Sequence, residues 1–406
     1  MDRVILHCDC NSFFASVEAA LNPAYRGVPM AVCGSEEDRH GIVLAKNELA
    51  KSYGIQTAET VYSAKKKCPS LVIAEPHYDE YLRYSKAVNE IYYRYTDLVE
   101  PFGIDESWLD LTASTKLFGS GEEIAERIRQ EVREEIGVTV SIGVSFNKVF
   151  AKLGSDYKKP DAVTVISREN FRDIVYRLPA KDLLFVGRKT AEELRLLGIN
   201  SIGELADTAD TVMRMKFGKH GEMLLKYARG EDDSPVIGES EREDTKSVGS
   251  GHTFKRDILG IEEASVGLSH LSEDVARRLR DLGFMCRTVQ LSIKDEYLRV
   301  IQRQSPIEPP SDLASEIKAT ALSILEREWS PTRPIRMLTV TAQNLVKADT
   351  VTEQISFFDE DKSVDRTKSR KKEETIEKIR QKFGNESILA ASLLESDLGI
   401  VKKSSK

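Results

Sequence analysis

The sequence predicts a multidomain α/β protein in which modules of different secondary structure follow one another along 406 residues. Strand-like apolar runs alternate with helical patterns up to residue 167, a helix-only stretch covers 168–230, and a second strand–helix pattern covers 246–346. Hydrophobic residues make up 40% of the chain and charged residues 31%, a composition that excludes a largely disordered protein. A chain of this length is expected to form two to four domains.

The first region reads as a sheet with covering helices. The apolar runs predict strands at 3–9, 28–33, 41–45, 138–144 and 163–166, helices at 13–21, 46–53, 78–95 and 122–135, and a hairpin over 98–112. Asp9 stands at the end of the first strand, and Asp105 and Glu106 stand at the tip of the hairpin.

The helical stretch contains one candidate DNA-binding motif. Leu183–Ala191 leads through Gly187, Arg188 and Lys189 into a helix, which is the pattern of a helix-hairpin-helix. A glycine at the turn lets backbone N–H groups of the next helix face a phosphate. An ordinary connection between helices gives the same pattern, so both interpretations stay open.

Residues 231–245 are acidic and unpatterned, which is typical of a linker. The order βαββαβ over 246–346 predicts a ferredoxin-like sandwich. Basic residues on its predicted surfaces are candidate DNA contacts: Lys255, Arg256, Arg299 and Arg303.

The remaining residues, 347–406, form a predicted tail. It contains an isolated apolar cluster with Gln354, Ile355, Phe357 and Phe358, followed by a charged run and a short amphipathic helix around Ile376. An exposed apolar cluster outside any domain is typical of a docking motif, with a chance cluster as the alternative.

Net charge and cysteine content indicate the kind of binding partner and the cellular compartment. The net charge of −7 argues against a uniformly basic nucleic-acid-binding protein, but it does not locate the charges. Five cysteines without CxxC spacing, and no secretory signal, indicate a reducing, cytoplasmic compartment. Cys8 and Cys10 share one face of a strand, so buried thiols are favoured over a metal or redox site. No 18-residue apolar run is present, so no membrane association is expected.

Asp9, Asp105 and Glu106 are the candidate catalytic residues. Convergent carboxylates suit Mg²⁺, and paired ions can activate a hydroxyl and stabilise a leaving pyrophosphate. In the alternative, Asp105 and Glu106 are turn residues and Asp9 is a helix cap.

Four segments carry a resemblance to a known family. They are DCNSFFASVE at 9–18, IDESWLD at 104–110, SIGVSFNKVFAK at 141–152 and KP at 159–160. Together they resemble the motifs of Y-family translesion DNA polymerases, in the same order and spacing, and the bacterial polymerase IV and UmuC-like branches are the nearest. The resemblance implies a right-hand polymerase. It has a palm (1–25 and 76–167), small fingers (26–75), a helical thumb (168–230) and a little finger (246–346).

The resemblance also implies roles for individual residues. Asp9, Asp105, Glu106 and the Cys10 carbonyl would hold two Mg²⁺ ions, with Mn²⁺ as a substitute. Phe14 would be the steric gate that rejects ribonucleotides. Phe13 would meet the triphosphate through its backbone, although a purely structural core role is an equal alternative.

Four further residues are implied to bind the nucleotide. Lys51 and Lys159 would contact the triphosphate, and Ile42 and Leu44 would cover the nascent base pair. Glu48 departs from the family pattern, because polymerase IV relatives carry a phosphate-contacting tyrosine there. A carboxylate repels a triphosphate, so Lys46 or Lys51 would have to compensate, or Glu48 would turn outward.

The implied activity is low-fidelity, distributive translesion synthesis without proofreading, in DNA damage tolerance and the SOS response. Primer–template DNA and dNTPs would be the substrates, and residues 354–358 would bind the replicative sliding clamp. Recombinase or accessory proteins are further expected partners, and the chain is expected to be a monomer. Two alternatives remain, a catalytically weak relative acting as a DNA- or clamp-binding scaffold and a palm-like nucleotidyl cyclase.

Overall fold

The structure is a computed structural model that describes residues 2–35, 39, 41–241, 244–351, 360–384, 387–389, 391 and 397–400, with side chains of 360–365 excepted. The chain divides into two compact units. One comprises Met1–Gly34 and Ile42–Arg242, and the other comprises Ser35–Gly41 and Glu243–Lys406. None of the helices in these described ranges is long and apolar enough to cross a bilayer.

The first unit begins with a strand–helix pair and a small sheet. The elements are β1 (Ile5–Cys10), α1 (Phe13–Leu21), β2 (Met30–Cys33), β3 (Val43–Lys46), α2 (Glu48–Ser52), α3 (Val61–Lys67) and β4 (Val72–Ala74). Strands β3, β2 and β4 form a three-stranded sheet in that order. Its core includes Val43, Ile55 and Val61, all buried. The side chains of Asn47 and Thr60 cap α2 and α3 by accepting backbone N–H bonds.

The first unit also contains a larger, five-stranded sheet, which β1 and four later strands form. The elements are α4 (Tyr78–Tyr92), β5 (Val99–Pro101), β6 (Glu106–Asp110), α5 (Thr115–Phe118), α6 (Gly121–Glu131), β7 (Val140–Ser145), α7 (Lys148–Tyr157) and β8 (Val163–Ile166). The five strands lie in the order β5-β6-β1-β7-β8, so the N-terminal strand is central. Neighbouring strands of this sheet run antiparallel, except for β7 and β8, which run parallel. The alternation of strands and helices predicted for this region is confirmed.

One glycine allows α7 to lie directly against the sheet. A Cβ at Gly143 of β7 would come within 1.9 Å of the Ala151 carbonyl oxygen and 2.5 Å of the Ser155 nitrogen. Only hydrogen in place of a side chain permits this approach. The close packing brings Ser155 of α7 next to His7 of the central strand β1, and Lys152 of α7 next to Glu106 of β6.

Residues 168–230 are mainly helical, as predicted. Short helices follow one another: α8 (Phe171–Ile174), α9 (Arg188–Leu196), α10 (Ile202–Ala206), α11 (Asp210–Phe217) and α12 (Lys219–Arg229). They enclose a separate apolar core that contains Leu194, Ile202 and Leu224.

The acidic segment after α12 is irregular, but its first half is docked on the five-stranded sheet. Val236 is buried against Ile5 and Trp108. The Ile237 N–H donates to Glu100, and the Lys148 ammonium bonds both Glu100 and the Pro235 carbonyl. A freely moving linker does not describe these residues.

The second unit has the predicted βαββαβ order. The elements are β9 (Ser247–Ile258), α13 (Gly260–Asp281), β10 (Phe284–Lys294), β11 (Val300–Ser311), α14 (Ala314–Glu328) and β12 (Ile335–Lys347). The antiparallel order β11-β10-β12-β9 places the last strand between the first two, which makes a split βαβ unit. The core between sheet and helices is apolar, with Phe254, Leu268 and Ile324 fully buried.

The C-terminal residues add to this unit. Helix α15 (Glu360–Phe383) carries Arg370 and Glu373, which pair with Asp312 at 2.6 Å and Arg280 at 2.8 Å. Further on, Leu398 is buried in the core of the same domain, and its carbonyl accepts the Lys255 N–H of the edge strand β9. The predicted amphipathic helix is present, but it is longer than predicted and belongs to the domain.

Candidate active site

Strand register brings the three predicted carboxylates together. In the pairing of β1 with β6, Asp9 lies opposite Glu106. The Cys10 N–H donates to the Asp105 carbonyl at 2.9 Å, which holds the tip of the hairpin against the end of β1. Cys8 and Cys10 are free and buried, as predicted. The carboxylates therefore form one cluster at the end of the central strand.

Glu106 is held by two residues behind it. Buried His7 places its Nε2 3.3 Å from Glu106 Oε2, and its Nδ1 lies 2.8 Å from the Ser155 hydroxyl. The Lys152 ammonium donates to the same Oε2 atom. The sequence motif contains Lys152, but the sequence alone did not predict that Lys152 or His7 contacts one of the candidate carboxylates.

Lys159 is the partner of Asp9. Its ammonium lies 2.7 Å from Asp9 Oδ2 and 2.7 Å from Asp156 Oδ1. Burial disfavours the charged form, but the two carboxylates outweigh it and raise the pKa of Lys159. The residue predicted to contact a triphosphate thus carries its charge at the carboxylate cluster.

Neighbouring carboxylates in the cluster have opposite pKa shifts. Burial, reinforced by the charges of Asp9 and Glu106, raises the pKa of Asp105 to about 6. Burial also disfavours ionised Glu106, but the hydrogen bonds from His7 and Lys152 outweigh it and lower its pKa to about 2. The negative charge is therefore compensated at Glu106 and undercompensated at Asp105.

The donor set fits a hard divalent cation. His7, Asp9 and Glu106 offer ligand atoms that lie within 4.8 Å of one another. Carboxylate oxygens are the preferred ligands of Mg²⁺. The three carboxylates also carry more negative charge than the two neighbouring ammonium groups neutralise. His7 is a less suitable ligand because it is buried beneath the cluster and Mg²⁺ prefers oxygen.

Phe14 lies in an aromatic cluster next to the carboxylate edge. Its ring is half-buried and stacks on Tyr81, with centroids 4.1 Å apart and planes 10° apart. Tyr78 meets the same ring edge-on at 6.0 Å. Phe13 is buried at 3% exposure, so its side chain belongs to the core, and only its backbone is a candidate for ligand contact.

The side chain of Asn11 holds the loop between β1 and α1 in place. Its amide donates to Ser141 at 2.8 Å, and its carbonyl accepts the Asp161 N–H at 2.8 Å and the Thr139 hydroxyl at 3.0 Å. Ser12 follows with a positive φ of 48°. The side chain of Asn11 therefore links the start of α1 to the segment that follows Lys159.

Glu48 faces the start of α1 rather than turning away from it. The Ser12 hydroxyl donates to Glu48 Oε1 at 3.3 Å, and the Lys51 ammonium lies 3.6 Å from Oε2. Lys46 instead donates to the Thr57 hydroxyl at 3.0 Å. Lys51 is thus a cation beside Glu48, whose exposed side chain contacts the start of α1. How the Glu48 charge is compensated when a triphosphate binds stays a prediction.

Ile42 directly precedes β3, the strand that leads to α2, and Leu44 lies within it. Ile42 is 40% exposed and bridges Thr60, whereas Leu44 is half-buried. Single exposed apolar residues are common on protein surfaces, so contact of Ile42 with a ligand stays a prediction.

The predicted DNA contacts differ in their surroundings. Gly187 is the N-terminal cap of α9, and Arg188 and Lys189 in its first turn are exposed. In the second unit Arg299 is exposed, Arg303 pairs with Glu328 at 3.0 Å, and Lys255 is exposed. Arg256 is held by Glu263 and Asp397. The four predicted clamp-binding residues, Gln354, Ile355, Phe357 and Phe358, lie outside the described residues.

Comparison with known proteins decides the family. Residues 8–156 match the model of the impB/mucB/samB family, and residues 245–357 match the model of its C-terminal domain. The chain is 45% identical to DNA polymerase IV of Acetivibrio thermocellus, over 97% of this chain and 98% of the relative. The chain therefore belongs to the impB/mucB/samB family. It is also 34% identical to DNA polymerase IV 1 of Bacillus subtilis, over 97% of this chain and 94% of that protein.

The fold agrees with this membership. A Y-family DNA polymerase chimera, Dbh-Dpo4(243-245)-Dbh, superimposes with a TM-score of 0.76, at 23% identity over 84% of this chain and 99% of the chimera. The predicted family and fold class are confirmed. We use palm for the five-stranded sheet with its helices, fingers for the three-stranded sheet, thumb for α8–α12 and little finger for β9–β12 with α13 and α14.

Proposed function

We propose that this DNA-directed DNA polymerase extends a primer 3′ end by two-metal-ion nucleotidyl transfer and carries out translesion synthesis. Family membership supports the polymerase activity. The convergence of Asp9, Asp105 and Glu106 at the end of β1 is the observation that supports the mechanism. The proposed domains are the palm at 1–25 and 76–167, the fingers at 26–75, the thumb at 168–230 and the little finger at 246–346, with residues 231–245 connecting thumb and little finger.

Asp9, Asp105, Glu106 and the Cys10 carbonyl would hold two Mg²⁺ ions, or Mn²⁺ as a substitute. When bound, these ions activate the 3′ hydroxyl and stabilise the leaving pyrophosphate. The protein's own contribution is to keep Glu106 ionised through His7 and Lys152. The ammonium group of Lys159 forms an ion pair with Asp9. It therefore provides a positive charge where the triphosphate meets the carboxylate cluster.

Sugar and base selection come from the surfaces around this cluster. Phe14 presents a ring that excludes a ribose 2′ hydroxyl, and the backbone N–H groups of Phe13 and Phe14 meet the triphosphate. Ile42 and Leu44 cover the base pair, and Lys51 contacts a phosphate. Because the fingers are small, selection rests mainly on base-pair energetics, which makes synthesis error-prone.

Contacts with DNA and the clamp complete the proposal. The start of α9 with Arg188 and Lys189, and the little finger with Lys255, Arg299 and Arg303, bind the sugar–phosphate backbone. Arg256 contributes less, because two carboxylates already hold it. Residues 354–358 tether the enzyme to the sliding clamp, which compensates for distributive synthesis.

Primer extension on undamaged and damaged templates, with dNTPs and Mg²⁺, tests the function. Template-directed extension is expected, with clamp stimulation that is lost when the chain is truncated before Gln354. DNA binding without extension would instead establish a scaffold, and nucleotide turnover that needs no DNA would establish a cyclase.

A further inference from the structure

A buried carboxylate lies behind the aromatic cluster of Phe14 and takes no part in the proposed metal site. Glu18 on α1 is 2% exposed, although it is an acidic residue in an apolar core. An ionised carboxylate in such a place is costly unless hydrogen bonds satisfy it. Two residues at the start of α4 supply those bonds, Tyr81 through its hydroxyl and His77 through Nδ1.

The bond to Tyr81 is short and fully buried. The Tyr81 hydroxyl donates to Glu18 Oε1 at 2.5 Å, and His77 Nδ1 lies 2.9 Å from the same oxygen. Tyr81 itself has no exposed surface. A buried hydroxyl that loses its acceptor is costly, so Glu18 restrains the position of the Tyr81 ring.

Tyr81 transmits this restraint to Phe14. The two rings are nearly parallel at a centroid distance of 4.1 Å, so a shift of Tyr81 displaces the ring stacked on it. Phe14 and Glu18 are four residues apart on α1 and lie on the same helix face. The same stretch of helix thus carries both the ring and the anchor of its support.

We propose that Glu18 is a positioning residue for sugar selection. By holding the Tyr81 hydroxyl it sets the distance at which the Phe14 ring meets the sugar of the incoming nucleotide. The inference rests on the proposed function, in which Phe14 is the steric gate. Glu18 touches neither the substrate nor the reacting atoms, and it acts through Tyr81.

The test measures sugar discrimination, the ratio of kcat/KM for a dNTP to kcat/KM for the matching rNTP. In the full chain, Glu18→Ala and Tyr81→Phe should each lower this ratio about tenfold, because a small displacement at a specificity site costs much of its selectivity. The double variant should lose no more than the larger single effect, since both changes break one link. Glu18→Gln keeps an acceptor for the hydroxyl and should retain most of the discrimination.

Tyr95→Phe is the matched control. The Tyr95 hydroxyl donates to Glu131 at 2.6 Å in the same domain, and Tyr95 is also buried. The control loses the same kind of bond but has no contact with Phe14, so its discrimination should stay within about twofold of the parent. An equal loss in Tyr95→Phe would show that the ratio follows general destabilisation and would overturn the inference.

The inference and the proposed function fail in different ways. A parent protein without extension activity refutes the function. If the parent extends primers but Phe14→Ala does not admit ribonucleotides, the gate assignment is wrong. The positioning role of Glu18 is wrong if Phe14→Ala admits ribonucleotides while Tyr81→Phe discriminates like the parent. Because Tyr81→Phe keeps the ring, this result decides the question even if Glu18→Ala fails to fold.

Discussion

The palm and the little finger are both sheets covered by helices, but they use buried polar groups differently. In the palm, His7, Asn11 and Glu18 are buried, and each bonds to a partner distant in sequence. The little finger core is an apolar layer around Phe254 and Leu268. Two buried carboxylates of this domain serve the fold instead: Asp295 accepts a backbone N–H in the turn after β10, and Asp312 pairs with Arg370 of α15. The palm thus orients particular atoms, whereas the little finger provides a stable surface.

The largest expected effect is the loss of one carboxylate in the palm. Asp105→Ala should lower primer extension about a thousandfold or more, because several kcal/mol of transition-state stabilisation depend on the cluster. Asp110→Asn is the control, since it changes a carboxylate at the far end of β6, the strand that follows Asp105. Steady-state extension assays with both variants test the assignment, and near-parental activity of Asp105→Ala would refute it.

The corresponding change in the little finger should affect stability. Leu398→Ala removes a side chain that is 2% exposed and should lower the free energy of unfolding by about 2–5 kcal/mol. Phe383→Ala in the same tail should cost less than about 0.5 kcal/mol, because Phe383 is 67% exposed. Chemical denaturation measures both, and equal costs would show that the tail is not part of the domain.

An intermediate effect is expected where the fingers meet the palm. Glu48→Gln should lower KM for dNTPs about fivefold with little change in kcat, because a charge near the triphosphate costs about 1 kcal/mol in a solvated site. Glu90→Gln removes a charge from an exposed position on α4 and should leave KM unchanged. Single-nucleotide insertion kinetics separate the two parameters. An unchanged KM in Glu48→Gln would place the triphosphate away from this carboxylate.

The smallest effect is expected at the surface of the little finger. Arg299→Gln should weaken DNA binding about threefold and lower the salt dependence by about one unit of slope, as for loss of one phosphate contact. Arg256→Gln should change the slope less, because Arg256 is held by Glu263 and Asp397. DNA titrations at several salt concentrations compare the two variants, and a larger slope change in Arg256→Gln would reverse the assignment.

Local patterns predicted most of the elements because their signals are local. The runs that predicted a strand at 163–166 and a helix beginning at 78 agree with Val163–Ile166 and Tyr78–Tyr92. Boundaries shifted where a pattern continued past the paired or helical segment, as at 3–9, which is Ile5–Cys10. The docking of Val236 and Leu398 was missed, since single apolar residues in polar segments carry no periodicity.

The sequence by itself determined the family, the order of the modules and the identity of the three carboxylates, because motif spacing and periodicity are properties of the chain. Only the tertiary structure showed that Lys152 and Lys159 pair with those carboxylates, that Glu48 faces α1 and that Glu18 supports Tyr81. These contacts join residues that are 36 to 150 positions apart. Such contacts depend on strand register and on the close packing of α7 at Gly143, which no local pattern encodes.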